Sequence, residues 1–211
     1  RTLDLEPTTP KPRVGHSTAI IGDKMYLFGG SDAHKTYFNG LHVLDMISGV
    51  WEDIQGQDGF IPPHMAYHTC SVVGGKLYIF GGVTSGEKYF DHFFEVTVSG
   101  MAITLAQNTE NVNCLYPDLD LTAHWTPITL TGDIPTSRAY HSATVVDDKI
   151  YIFGGMVSQG QYSTYFDDMH VKIQVSNVTF VSICNWLLTQ LKVNRTSEQI
   201  YVVKTAMSSD E

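Results

Sequence analysis

The sequence is short of cysteine, of positive charge and of long apolar runs. Cys70, Cys114 and Cys184 are the 3 cysteines among 211 residues. They are too few and too scattered for a disulfide framework and are expected as reduced thiols. Lys and Arg number 13 against 22 Asp and Glu, a formal net charge of −9. A chain of that sign repels phosphate backbones, which argues against a nucleic-acid partner and weakly favours a basic protein. No run of about 18 apolar residues occurs, so no membrane partner is expected. The stretch Arg1 to Pro12 is polar and proline-rich and does not read as a signal peptide. A cytoplasmic or nuclear location follows. No nucleophile elbow, phosphate-binding loop, dinucleotide fingerprint or Cys-x-x-Cys pair is present. No catalytic residue, cofactor or metal is therefore expected, and the chain is not read as an enzyme.

What the sequence does hold suits an all-β protein. Apolar residues make up 43%, enough for a packed core, and 18 glycines with 11% aromatics fit strands joined by tight turns. An internal repeat carries the argument further. Lys24-Met25-Tyr26-Leu27-Phe28-Gly29-Gly30, Lys76 to Gly82 and Lys149 to Gly155 are copies of one unit. Ahead of the paired glycines Gly29-Gly30, Gly81-Gly82 and Gly154-Gly155 stand His16, His68 and His141 at one fixed spacing. Arg13, Met65 and Arg138 precede those histidines, and Pro10, Pro62 and Pro135 precede them in turn. Each copy reads as a meander: a β-branched strand after the histidine, a two-residue turn, then the lysine-led strand. Both faces of that second strand are expected to be buried, since its apolar residues do not alternate with polar ones. A third strand is expected to open with Tyr37-Phe38, Tyr89-Phe90 and Tyr165-Phe166. A fourth carries Trp51 or Trp125.

The pattern resembles the kelch repeat. The residues that carry the resemblance are the glycine pairs, the preceding Tyr-x-Phe, the upstream histidine, the Gly-x-x-Pro-x-x-Arg-x-x-His lead-in and the spaced tryptophan. The resemblance implies four-stranded antiparallel blades of a β-propeller, here an incomplete ring, and a role in holding a protein partner as scaffold or adaptor. Galactose-oxidase-like enzymes and ubiquitin-ligase substrate adaptors are the alternatives it leaves open.

The expected organisation is the outer strand of a preceding blade at 1–8, blades at 9–56 and 57–130, and a third from 131 to 175 onward. An insertion near 100–122 lengthens the second blade, and 176–211 is an atypical, partly disordered tail. Met65 replaces the repeat's arginine. If that arginine bridges blades, the second copy lacks the bridge.

Repetition in register makes His16, His68 and His141 structural posts, because a metal site needs convergence rather than copies. His64 and His68 mimic a zinc pair, yet four residues along a strand separate side chains by roughly 13 Å. Partner-binding residues are expected in the loops after the glycine pairs: Asp32, His34, Lys35 and Tyr37, then Glu87, Lys88 and Tyr89, then Gln159, Gln161, Tyr162 and Tyr165. Tyr162 is singled out, because the third loop is longer and nothing matches Tyr162 in the other copies. The 100–122 insertion is the further candidate contact.

Overall fold

A computed structural model describes residues 9–56, 60–99, 121–130 and 134–172. The chain divides into two compact units, Arg1–Gln174 and Val175–Glu211. The second unit, the expected strand at 1–8 and nearly all of the 100–122 insertion lie outside the described residues.

The first blade is β1 (Ser17–Ile21), β2 (Lys24–Phe28), β3 (Leu41–Asp45) and β4 (Trp51–Gly56), each antiparallel to the one before. The second begins with β5 (Thr69–Val73) and β6 (Lys76–Phe80). A small arm follows, β7 (Val83–Thr84) and β8 (Lys88–Tyr89) around a 3-10 turn at Ser85–Glu87. The blade then finishes with β9 (Phe93–Ser99) and β10 (Thr122–Pro127). The third contains β11 (Ser142–Val146) and β12 (Lys149–Phe153), an arm of β13 (Met156–Gln159) and β14 (Tyr162–Tyr165), and β15 (Met169–Lys172). All-β blades of kelch type are what the repeat implied.

Local chemistry explains the turns. The β1–β2 turn uses Gly22 at φ 61° and the β5–β6 turn uses Gly74 and Gly75 at 58° and 74°. The Asp147-Asp148 turn puts Asp147 itself at 54°. Aspartate tolerates that left-handed region better than most side chains, which lets the third hairpin form without glycine.

Three expectations are corrected. The Tyr-Phe pairs do not open the third strand: β3, β9 and β15 start at Leu41, Phe93 and Met169, a few residues later. The pairs end the preceding loop or arm, with Phe90 buried and Tyr165 exposed. Second, the motif arginine is a strut inside its own blade and not a bridge between blades. Arg13 donates to the Gly29 carbonyl and lies over the Phe38 ring; Arg138 donates to the Gly154 carbonyl and to both Asp168 oxygens, over Phe166. Met65, fully buried in the core, occupies the same post in the second blade. Third, the lysine-led strand is covered on both faces in the first two blades, where Tyr26, Leu27 and Phe28 are also buried, but not in the third. In the second blade Leu77, Tyr78, Ile79 and Phe80 are all buried, whereas in β12 the burial alternates and Phe153 is 48% exposed.

The blades are joined by backbone and histidine. Gly30 N–H donates to the Met65 carbonyl of the next blade, and Met65 N–H donates back to the Phe38 carbonyl. Gly82, Arg138 and Phe90 repeat the pair of bonds one blade on. Between them His68 Nε2 and Ser17 Oγ share a hydrogen bond of 2.7 Å, and His141 Nε2 and Thr69 Oγ1 share one of 2.9 Å. Each ring also sits edge-on to the preceding blade's phenylalanine, Phe28 or Phe80. The first glycine of each pair makes this approach possible. A Cβ on Gly29 would lie 2.6 Å from the Met65 carbonyl oxygen and 2.8 Å from His68, and one on Gly81 would lie 2.7 Å from Arg138 O and from His141. The core runs along the joint: Trp125 from β10 packs against Phe28 of the first blade, over Phe94. Trp51, at the matching outer strand of the first blade, is only half-buried.

Two predictions follow from the joints. Gly81 and Gly154 share a positive φ, 70° and 68°, but nothing nearer than the Phe166 carbonyl at 3.4 Å opposes a Cβ at Gly154. Gly81→Val therefore combines backbone strain with a clash at the joint and should cost roughly 3–5 kcal/mol. Gly154→Val should cost only the strain, about 1–3 kcal/mol. Urea unfolding of the two variants checks this, and equal losses would contradict the joint as described.

The second concerns pH. Burial pushes His68 down to about 3, with His141 and His16 adding like charge, and pushes His141 down to about 4, with Arg138 adding to it. Unfolded, both titrate near 6.5, so between those values the unfolded chain binds more protons. Stability is then complete above about pH 6.5 and falls as pH drops, by about 1.4 kcal/mol per unit for each histidine. Asp45 and Asp168, held far below the carboxylate range by Lys24 and Arg138, lose their contribution only below about pH 4. Chemical unfolding between about pH 4.5 and 6.5 should thus show a positive slope that His68→Gln roughly halves. His42, also lowered by burial, leaves a residue of slope in both.

Candidate functional site

The loops between the second and third strands of all three blades emerge at one end, beside the residues that lead into β1, β5 and β11. Bridges between Val14 and Ser31, Ala66 and Val83, and Ala139 and Met156 fix this side-by-side placement. The β1–β2 and β3–β4 turns, held together by Met46 N–H donating to Asp23, lie at the other end.

At the loop end the residue directly before each motif histidine is Gly15, Tyr67 or Tyr140, at φ 66°, 58° and 61°. Tyr67 N–H donates to the Gly15 carbonyl at 2.7 Å, and Tyr140 N–H donates to the Tyr67 carbonyl at 3.0 Å. This backbone staircase stacks the side chains. The Tyr67 ring lies over Gly15, where a Cβ would meet it at 2.9 Å. Tyr140 stacks on Tyr67 with ring centroids 4.2 Å apart and planes 27° apart. The left-handed φ is what turns each ring along the stair, and the lost conformational freedom is repaid by the stacking contact.

Tyr37 and Tyr89 complete the group. Burial raises the Tyr37 phenol, with Tyr67 and Tyr89 adding to the effect. Burial pushes Tyr140 up to about 12, helped by Tyr67, Tyr89 and Tyr37. The Tyr37 and Tyr140 hydroxyls, protonated at neutral pH as phenols ordinarily are, can both donate and accept hydrogen bonds. With Tyr140 53% exposed, the cluster shows solvent an aromatic surface carrying polar tips.

The loop residues expected to bind divide into framework and free side chains. Asp32 accepts backbone N–H bonds from His34 and Thr36, which close the first loop and lower its carboxyl from the usual range. Lys35 takes φ 61° at the tip, and His34 and Lys35 are exposed. In the second blade Glu87 accepts from Gly160 N–H of the third blade's arm at 3.1 Å, tying the two arms together. Lys88 lies 5.7 Å over the Phe90 ring. In the third, Gln159, Gln161, Tyr162 and Tyr165 line an arm that projects outward. Tyr162 is 83% exposed and Tyr165 75%.

Among the sequence candidates, the structure thus gathers Tyr37 and Tyr89 with Tyr67 and Tyr140, which sequence reasoning missed. The signal was present as the repeated Ala-Tyr-His of 66–68 and 139–141, hidden because the first copy has Gly15 at the tyrosine position. Two of the motif histidines sit in the joints, where His68 and His141 are buried, and His16 is exposed on the first blade. His64, the other half of the zinc-like pair, hydrogen-bonds the Tyr37 carbonyl instead. Among the described residues no group of three His, Cys, Asp or Glu is placed to hold a metal ion. Nor is any helix long and apolar enough to cross a membrane. Cys70 is a free thiol, raised to about 12 by burial and inert on that account.

Comparison with known proteins places these features in a group. Residues 1–114 match the KLHDC2/KLHL20/DRC7 Kelch-repeats domain, and residues 137–171 match the Kelch motif. Tip elongation aberrant protein 1 of Schizosaccharomyces pombe is 32% identical over 70% of this chain, and human Host cell factor 1 is 34% identical over 70%. The N-(sulfonatooxy)prop-2-enimidothioate sulfolyase of Thlaspi arvense is 31% identical over 74%. The chain spans only 11%, 7% and 39% of those proteins' own lengths. Among solved structures, that of YjhT aligns with a TM-score of 0.50 and 17% identity, over 78% of this chain and 53% of that one, a likeness of fold alone.

Proposed function

We propose that this chain, which belongs to the kelch-repeat family, is a protein-interaction module whose contact surface is the loop end of its blades. The observation that carries the reading is the tyrosine cluster of Tyr37, Tyr67, Tyr89 and Tyr140. Tyrosine offers a large rigid surface with few torsions to immobilise and a hydroxyl to set direction, which is why it is enriched where proteins bind tightly. The stacked rings and the backbone stair hold it in place before any partner arrives, so little entropy is lost on binding. Tyr162 and Tyr165 on the projecting arm extend the surface, and His34, Lys35, Lys88, Gln159 and Gln161 supply a polar rim around it. The net charge of −9 favours a partner with basic groups over a nucleic acid. The buried motif histidines are engaged in the blade joints, which supports a binding role over a catalytic one for the repeat's polar residues. The 100–122 insertion, from the second blade, is a further contact in this reading. The name of the sulfolyase relative describes that protein. Nothing in the cluster favours its chemistry here.

Affinity capture followed by mass spectrometry, run in parallel on the wild type, Tyr140→Ala, Tyr162→Ala and Ile47→Ala, tests the proposal. Ile47 is 81% exposed in the β3–β4 turn at the opposite end and serves as control. A specific partner should be retained by Ile47→Ala and lost by about tenfold or more in Tyr140→Ala, with a smaller loss in Tyr162→Ala and unchanged melting of Tyr162→Ala. A partner that survives both tyrosine changes and is lost with Ile47→Ala would place the contact at the other end and reject the reading.

A further inference from the structure

The motif arginine is held in the same way in the first and third blades. Arg13 Nε donates to Lys11 O at 3.0 Å and Nη1 to Gly29 O at 3.0 Å, with the guanidinium 4.4 Å from the centre of the Phe38 ring. Arg138 repeats these contacts with Thr136 O at 3.1 Å, Gly154 O at 2.9 Å and Phe166 at 4.2 Å. One partner differs. Arg138 also grips Asp168 with Nη1 and Nη2, and His170 Nε2 bonds the same carboxylate at 2.9 Å. A backbone bond identifies the matching residue in each blade: Gly29 N–H donates to Gly40 O, Gly81 N–H to His92 O and Gly154 N–H to Asp168 O. The acid of the third blade is thus glycine in the first. In the second blade arginine and acid are replaced together, by Met65 and His92; in the first the cation is kept and its acid is not.

The rest of the carboxylate's surroundings is kept in the first blade. His42 stands where His170 stands, and a Cβ at Gly40 would lie 3.2 Å from its Nε2. Asp53, the acid whose charge reaches Arg13, is engaged by His42 Nδ1. Among the described residues no carboxylate forms an ion pair with Arg13. The position stays accessible between neighbouring blades. Gly40 is exposed with the second blade after it, the Asp168 side chain is 40% exposed with the second blade before it, and His92 is exposed with a blade on either side. A guanidinium fork fixed over an aromatic ring matches the two oxygens of a carboxylate. We propose that Arg13, Gly40 and His42 form a carboxylate-binding site, which takes at the loop end of the first blade the acid group that Asp168 supplies in the third. Its source is an aspartate or glutamate side chain of the protein partner. That source rests on the partner surface proposed above; the site itself does not. One gripped acid suits a partner that is basic overall, because the pair acts at contact distance and the net charge over the whole surface.

NMR of the arginine Nε–H groups in the 211-residue chain tests the site, with sodium acetate to about 100 mM as probe and sodium chloride holding the ionic strength constant. Acetate should shift Arg13 saturably, with its midpoint in the millimolar range, and leave Arg138 unmoved, since Asp168 already holds it. Acetamide, similar in shape and uncharged, should shift neither. Gly40→Asp supplies the carboxylate from within and should abolish the acetate response; the backbone at Gly40 is not left-handed, so the side chain fits it. A second measurement is the urea midpoint. Gly40→Asp should exceed Gly40→Asn, and the difference should vanish beside Arg13→Met, the residue that the second blade carries. An Arg13 without saturable response, an equal response of Arg138, a response that survives Gly40→Asp, or equal midpoints would overturn the site. Affinity capture then decides the source. A partner lost about tenfold by both Arg13→Met and Gly40→Asp supplies the acid group. A partner retained by both, beside an intact acetate response, overturns that source in favour of a free small carboxylate. Capture indifferent to the tyrosine changes, beside an intact acetate response, rejects the partner surface and not the site.

Discussion

The structure depends on a close approach that only a missing side chain allows. At Gly29 and Gly81 the backbone is left-handed, and the carbonyl and histidine of the following blade come to within 2.8 Å of where a Cβ would stand. Everything at the joint is built on this contact. The neighbouring glycine donates its N–H across the gap, the histidine reaches Ser17 or Thr69, and the phenylalanine edges seal the seam. A larger residue would hold the blades apart, and buried N–H and C=O groups would then lose their partners at about 1–3 kcal/mol each.

The same contact positions the candidate binding face. Tyr67 and Tyr140 immediately precede the histidines that the joints fix, so their rings are carried into register by the blade-to-blade geometry. Each bonds by its N–H to the carbonyl of the stair below. Rigidity at the joint thus becomes preorganisation at the loop end. The arms, tied by Glu87 to Gly160, take their footing from the strands that the joints align. Fold and function are linked here through backbone placement and not through any shared side chain.

Much of this was legible in the sequence. The glycine pairs, the histidines and the lead-ins recur at one spacing, and three copies in register fix the blade. The strand boundaries were less legible. Tyr-Phe pairs look like strand openings because aromatics favour strands, yet they close loops, with phenylalanine turned under the motif arginine or into the core and tyrosine turned outward. The role of the arginine was left open by the sequence, which could not say whether its acceptors lay in its own blade or the next; Gly29 O, Gly154 O and Asp168 all lie within its own blade.

What the sequence determined by itself is local and periodic: which residues turn, which pair, and which positions repeat. Those follow from φ preference, side-chain alternation and spacing, properties that neighbouring residues settle among themselves. What only the tertiary structure decided is which of the described copies are pressed against a neighbouring copy. Gly81 and Gly154 sit in near-identical heptads, Lys76 to Gly82 and Lys149 to Gly155, yet one is pressed by the next blade and the other faces an open hollow. His16 and His141 likewise share a motif, and one is exposed while the other is buried. The convergence of Tyr37, Tyr67, Tyr89 and Tyr140 belongs to this second class. Burial and proximity are sums over residues far apart in the chain, and no local pattern encodes them.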